Sequence, residues 1–136
     1  MRVAAVVTIL SLALPAMAMD ESLVAWSEMK GEVAKAATEY LEAFSTVRER
    51  EKWKARIKER TKERPLQDIA LDWFFDNRGD IEDKNPKAVK TGCMFMLLFV
   101  ETGTPPPVRV RERITRENLE ELANYLRSEV ANLKKQ

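Results

Sequence analysis

The single thiol of the chain is its first candidate for chemistry. Cys93 opens an eight-residue apolar run, 93–100, and the 136 residues include no histidine. Without an imidazole there is no Ser-His pair, no Cys-His pair and no histidine metal ligand. Apolar surroundings raise the pKa of a thiol and make it a poor nucleophile. We therefore expect a protein that is not an enzyme. The alternative is a thioredoxin-like or other enzyme that uses Cys93.

Carboxylates cluster between Asp76 and Asp83, where a metal site has to be considered. The cluster also contains Asp80 and Glu82. A calcium loop needs oxygen ligands at alternating positions, but Arg78 stands where the second ligand would fall. The four glycines are scattered, so the chain has no glycine-rich phosphate-binding loop. The sequence therefore predicts no metal and no cofactor.

Basic side chains provide the second kind of chemistry, as docking groups. In 108–114, arginines alternate with Val108, Val110 and Ile114, with Glu112 as the exception. On a strand this period of two gives one basic face, which suits a carboxylate or phosphate. A second segment, 48–64, has Arg or Lys at every even position. The candidate partner-binding residues are Arg109, Arg111, Arg113, Trp53, Lys54 and Lys58.

The charge balance limits the kind of partner. Removal of residues 1–18 takes away Arg2 and leaves 22 basic residues against 22 acidic ones. A neutral chain exerts no long-range attraction on a polyanion. We therefore expect a protein partner with an acidic surface and no nucleic acid, while the oligomeric state stays open.

The elements that position these groups begin with helices. Apolar residues recur three and four apart from Trp26 to Val47, which predicts an amphipathic helix. Trp53 and Ile57 lie about one residue out of phase, so we expect a bend or break between Ser45 and Lys52. A further helix follows Pro65, and a last one carries Leu119, Leu122, Leu126, Val130 and Leu133 on one face.

The cysteine-containing run is predicted to be a buried strand. Gly92 and Gly103 flank it, and three prolines separate it from the alternating arginines. The predicted fold class is α+β, with N-terminal helices, a short β-hairpin at about 93–101 and 108–114, and a C-terminal helix. If the prolines instead precede a long helix from Val108, the fold becomes a nearly all-α helical bundle.

Two family resemblances attach to this hairpin. The predicted strand, turn, strand and helix in 93–133 resemble the back half of a thioredoxin fold, although the chain has no Cys-x-x-Cys. The segment "IEDKNPKAVKTGCMFMLLFVETGTPPP" resembles the region around the first core strand of the endoplasmic-reticulum chaperones for lipoprotein receptors. Neither resemblance transfers a site to this chain.

The N-terminal residues resemble a secretory signal. Arg2 precedes the apolar stretch 3–14, and Ala16-Met17-Ala18 has the small-x-small pattern of a cleavage site. The stretch is shorter than the roughly 20 apolar residues of a membrane span, although a retained anchor is the alternative. We expect a signal peptide at 1–18 and a single small globular domain at 19–136. The domain would comprise a long, charged, bent helix at 19–64 and a compact α+β part at 65–136.

These observations favour an exported, soluble, non-enzymatic protein-binding domain, periplasmic or secreted, with no stable membrane span after cleavage. A chaperone, an inhibitor or immunity factor and an envelope-complex subunit all fit this description. The first alternative is an electrostatic binder of anionic surfaces or polymers through 48–64 and 109–113. The second alternative is the enzyme that uses Cys93.

Overall fold

A computed structural model describes residues 21–112 and 116–135. Within these ranges the chain forms helices and no strand. The helices are α1 (Glu21–Phe44), α2 (Val47–Arg60), α3 (Leu66–Asp76), α4 (Arg78–Glu82), α5 (Pro86–Thr102), α6 (Val108–Arg111) and α7 (Arg116–Lys134). The predicted signal peptide lies outside the described residues. No helix in the described ranges is long and apolar enough to cross a membrane.

The centre of the fold is the contact of α1 with α7 and α5. The apolar spacing of α1 gives it one buried face, where Val33, Ala36 and Ala37 have no exposed surface. On α7, Leu119 and Leu126 are equally buried. Small alanine side chains let neighbouring helices approach closely, since the interaxial distance depends on the side chains at the contact. We call this contact the α1 seam.

A capping box separates α1 from α2. The Thr46 hydroxyl accepts a hydrogen bond from the Glu49 amide at 3.1 Å, and the Glu49 carboxylate accepts one from the Thr46 amide at 3.4 Å. Arg50 Nη1 donates to the carbonyl oxygens of Leu41 at 3.0 Å and Ser45 at 2.9 Å, which satisfies the end of α1. The break expected after Ser45 therefore falls at Ser45 and Thr46.

The strand predicted for 93–101 is wrong, because this segment lies inside α5. The Asn85 side chain accepts from the Lys87 amide at 3.0 Å, and Pro86 occupies the first turn. Gly103, with φ of 70°, provides the left-handed residue that ends the helix. Gly103, one of the two glycines that the sequence suggests as borders of a strand, ends this helix, and Gly92, the other, lies inside it.

The run is apolar without a helical period because α5 is buried on several sides. Phe95 and Phe99 pack into a cluster with α1, α2 and α3, while Cys93 and Met94 pack against α1 and α7. A segment enclosed in this way needs no polar face, so the run itself shows no amphipathic period, and the charged residues of α5 lie outside it. Periodicity alone cannot then distinguish it from a buried strand.

The second predicted strand, 108–114, is wrong as well. Val108–Arg111 form the single helical turn α6, in which the Arg111 amide donates to the Pro107 carbonyl at 2.8 Å. The end of the predicted strand falls in 113–115, outside the described residues. The three prolines therefore lead into a helix at Val108, as in the alternative that the sequence left open, but this helix ends at Arg111 and is not the long one that the alternative supposed.

The α+β fold is thus replaced by the all-α alternative for the described part of the chain. The α+β part assigned to 65–136 depended on the hairpin. Both family resemblances depended on the same strand, so the fold that they imply is not retained either.

An aromatic cluster ties α2 and α3 to α5. The Phe95 ring lies 4.9 Å from Trp53, 5.4 Å from Trp73 and 6.0 Å from Phe74, measured between ring centroids. Edge-to-face and tilted pairs of this kind add to the free energy gained by burial. On α2, Ile57 is buried and Trp53 is half-buried, so this helix is held through few apolar contacts.

Candidate functional site

A half-open apolar groove is the main concave feature among the described residues. It has a volume of about 1110 Å³ and is lined by residues of every helix except α2. Ligand pockets are mostly apolar and commonly measure roughly 300–1,000 Å³. The groove is therefore at or above the size of a small-molecule site, although this is a small protein.

Partly exposed apolar side chains form the walls of the groove. They are Leu71, Phe74, Phe75, Ile81, Val89, Val110, Leu122 and Tyr125. Phe75 is 57% exposed, which is unusual for a side chain of its size. Buried residues of the α1 seam, including Val33 and Leu126, lie beneath the floor. An occupant would remove from water the apolar surface that the fold leaves exposed.

The groove exists because long helices are covered by short ones. α4 has five residues and α6 has four, so these helices are about 8 and 6 Å long, against about 26 Å for α5 and 29 Å for α7. The short helices cannot cover the apolar sides of the long ones. Among the described residues, α4 and α6 therefore leave part of these apolar sides uncovered.

Two cations at the groove are positioned by aromatic rings. The Arg78 guanidinium carbon lies 4.5 Å from the centroid of the Phe75 ring, and Lys84 Nζ lies 5.3 Å from that of Tyr125. Both distances are within the range of a cation–π contact. Arg78 begins α4 and Lys84 follows its end. The two ends of α4 therefore each place one positive charge beside the apolar groove.

Cys93 lines the groove but is only 4% exposed. Burial raises the pKa of its thiol from 9.0 to about 12. Burial, followed by the nearby Tyr125 and then Cys93, also raises the pKa of Tyr40 to about 12. The thiol is therefore protonated at neutral pH, and a protonated thiol is neither a nucleophile nor a metal ligand.

The three arginines singled out from the sequence have different environments. Arg109 is exposed and lines the groove. Arg111 is buried, and its Nη1 donates to the Pro106 carbonyl at 2.8 Å, so it packs inside the fold. Arg113 lies outside the described residues. The shared basic face on a strand does not form, because Arg109 and Arg111 lie on a helical turn.

The other three candidate residues lie on α2, away from the lining of the groove. Trp53 packs against Phe95 in the core. Lys54 pairs with Glu101 at 3.4 Å and borders a separate pocket of about 210 Å³. Lys58 is exposed. Of the five candidates that the structure describes, it places Arg109 alone at the groove.

Sequence reasoning missed the apolar wall residues, of which Phe75 gives the clearest signal. Trp73, Phe74 and Phe75 are consecutive, and three adjacent residues on a helix cannot all face one core. One large apolar side chain had to point elsewhere. Val89, Leu122 and Tyr125 carry no comparable signal, since each fits the apolar face of its own helix.

The described residues hold no group of three or more Cys, Asp or Glu side chains arranged to bind a metal ion. Comparisons of the chain with protein-family models, with curated proteins and with solved structures find no match. The functional argument therefore depends on the geometry of the groove.

Proposed function

We propose that this protein is an exported binding domain that receives an amphipathic helix of a partner protein in its apolar groove. The observation that carries the proposal is a half-open groove of about 1110 Å³ with Phe75 exposed at its edge. Laying the apolar face of a helix into a hydrophobic groove is a recurrent mode of protein recognition. The anchors of such a helix are read at positions i, i+3, i+4 and i+7.

Two features support binding as the function in preference to catalysis. The one thiol at the groove is protonated, because burial raises the pKa of Cys93 to about 12. The chain has no histidine to act as a general base near neutral pH. What the groove offers an occupant is apolar surface with charges at the edge, which is the composition of a binding interface.

Site-specific crosslinking in the native host tests the proposal. Benzoylphenylalanine in place of Phe75 puts a photoreactive group in the groove, and the same group in place of Val24 is the matched control. Val24 is 52% exposed, close to the 57% of Phe75, but it does not line the groove. After irradiation, mass spectrometry identifies the crosslinked peptide.

We expect the position-75 variant to crosslink one partner through a peptide with apolar residues at helical spacing, and the position-24 variant to leave it unlinked. Equal crosslinking from both positions, or crosslinks to extended segments only, would contradict the helix-in-groove proposal. N-terminal sequencing of the recovered protein tests export, with Met19 as the expected first residue. Recovery with Met1 intact from a cytoplasmic fraction would contradict export.

A further inference from the structure

We infer that the partner helix carries acidic side chains along the edge of its apolar face, and that Arg78 and Lys84 bind their carboxylates. This inference deepens the proposed function and depends on it. It assigns the recognition of the partner's charge to Arg78 and Lys84, which lie at the two ends of α4.

The first support is that both cations are held in place before a partner binds. Arg78 lies over Phe75, its Nη1 also donates to the Phe75 carbonyl at 3.4 Å, and Lys84 lies over Tyr125. Long basic side chains normally lose conformational entropy when a partner immobilises them. Seating them on aromatic rings reduces that cost, which is the general benefit of preorganisation.

The second support is the backbone of Lys84. Its φ of 55° makes it the one non-glycine residue with positive φ in the described chain. It follows α4, where the Asn85 amide donates to the Asp80 carbonyl at 2.9 Å, and a glycine is the usual residue at such a helix end. Strained backbone of this kind is concentrated at functional sites. A lysine here provides what glycine lacks, a charged side chain directed over Tyr125.

The third support is the pattern of ion pairs. Elsewhere in the described chain, some basic residues have carboxylate partners: Lys54 with Glu101 at 3.4 Å, Lys90 with Glu49 at 3.6 Å and Arg127 with Glu32 at 3.5 Å. No ion pair among the described residues involves Arg78 or Lys84. Their positive charge therefore remains available to a carboxylate from outside.

Carboxylates also line the groove, and they distinguish one orientation of the partner from another. Glu82, Glu112 and Glu121 are exposed, and none of their carboxylates takes part in a hydrogen bond or ion pair within 21–112 and 116–135. Their side chains therefore lack the polar and aromatic contacts that hold the two cations. The other carboxylates next to α4, those of Asp76, Asp80 and Asp83, do not line the groove. Acidic residues of the partner would be repelled by the three groove carboxylates and attracted to Arg78 and Lys84, so the charge pattern favours one alignment.

Two synthetic peptides test the inference. Both carry the same leucine stripe at i, i+3, i+4 and i+7, and their polar edges carry glutamate in one and lysine in the other. Each has a fluorescein label, and binding is followed by anisotropy at low and high salt. The test variant is Arg78→Gln with Lys84→Gln, and the matched control is Glu82→Gln with Glu121→Gln. All four side chains are exposed, so the thermal transition of each variant should stay within a few degrees of that of the parent. The Arg78→Gln/Lys84→Gln variant should shift more than the control, because it loses the contacts with Phe75 and Tyr125.

We expect the parent protein to prefer the glutamate peptide. The Arg78→Gln/Lys84→Gln variant should bind that peptide about tenfold more weakly. This is the loss expected when two exposed ion pairs at the edge of the groove are removed. Its affinity for the lysine peptide should stay the same or increase. The control variant should bind the glutamate peptide at least as tightly as the parent. Raising the salt concentration should reduce all of these differences, because exposed charges are screened.

Four outcomes would overturn either the inference or the proposed function on which it depends. A parent that prefers the lysine peptide, or equal losses for both peptides in the Arg78→Gln/Lys84→Gln variant, overturns the inference and leaves helix binding intact. Binding of neither peptide, with dodecanoate bound by the parent and lost on Phe75→Ser, overturns the proposed function in favour of an acyl ligand. Binding of both peptides that Phe75→Ser leaves unchanged also overturns it, since the groove is then not the site.

Discussion

Leu126 and Leu122 lie one helical turn apart on α7 and both line the groove, yet their environments differ. Leu126 has no exposed surface and packs in the α1 seam at the floor of the groove, whereas Leu122 is half-buried in its wall. The seam is formed by three helices of 24, 17 and 19 residues. The walls of the groove come from α3, α5 and α7 and from two helices of only five and four residues, α4 and α6.

The comparison shows how one apolar face can serve both stability and binding. Long helices bury each other along their length, so their contact is closed and specific. Short helices cover only part of the remaining apolar surface, and the rest stays available to a partner. Mutations in the seam should therefore change the free energy of unfolding, whereas mutations at the groove should change binding and leave stability nearly unaltered.

Replacing one phenylalanine in each region is the strongest test of this division. Phe95 is 2% exposed and contacts Trp53, Trp73 and Phe74, so Phe95→Ala should lower the free energy of unfolding by about 3–5 kcal/mol. Phe75 is 57% exposed, so Phe75→Ala should lower it by less than about 1 kcal/mol, mostly through its contact with Arg78. Urea denaturation of both variants gives the two values.

The denaturation slope serves as the control for this pair. The slope scales with the surface exposed on unfolding, so it should be the same in both variants if the folded states are unchanged. Losses of similar size in the two variants would show that Phe75 belongs to the core, and the distinction between seam and groove would then fail.

The second test uses alkaline pH, because buried acidic groups lie under the floor of the groove. The pKa of Cys93 is raised in the folded state from 9.0 to about 12, so its contribution to stability is complete below pH 9. That contribution should be lost between pH 9 and 12, at up to about 1.4 kcal/mol per pH unit. Tyr40, raised from 10.0 to about 12, should add a similar loss that begins one unit higher.

Cys93→Ala isolates the part that belongs to the thiol. At pH 7 the variant should be less stable by about 1 kcal/mol, owing to the small cavity. The variant lacks the loss of stability that the thiol causes above pH 9. Its stability curve should therefore cross that of the parent at about pH 9.7. Two curves that stay parallel from pH 8 to 11 would show that the thiol is not shielded from water beneath the groove.

Much of the seam could be predicted from sequence, whereas α5 could not. The spacing of Trp26, Met29 and Val33 predicts α1, and the phase change before Trp53 predicts the break in the helix. These signals are local, since each helix has one apolar face and one polar face. α5 has no such contrast, because neighbouring helices enclose it. Only the Asn85-Pro86 start and Gly103 end indicated a helix, and such residues also border strands.

The groove was harder to predict than the fold because no single segment encodes it. Arg109 lies at its edge, but it was selected for a strand pattern that does not form. Phe75 and Tyr125 lie 50 positions apart in the chain and line one groove only after α4 has positioned Arg78 and Lys84 beside them. Such a site depends on the relative lengths of packed helices, which the pattern within any one helix does not report.

The smallest expected effect separates strain from function at Lys84. Glycine adopts a positive φ without the steric cost that lysine incurs, which is roughly 1–2 kcal/mol. Its more flexible unfolded state offsets about half of that gain in stability. Lys84→Gly should therefore leave stability unchanged or raise it by up to about 1 kcal/mol, despite the lost contact with Tyr125. Lys35→Gly is the matched control at an exposed position inside α1, where glycine should lower stability by about 0.5–1 kcal/mol.

If Lys84→Gly gains stability and also loses the preference for the glutamate peptide, the lysine is retained for binding at the expense of stability. If both lysine variants lose equal stability, the left-handed turn carries no strain, and the support that it gives to charge recognition at the groove is removed.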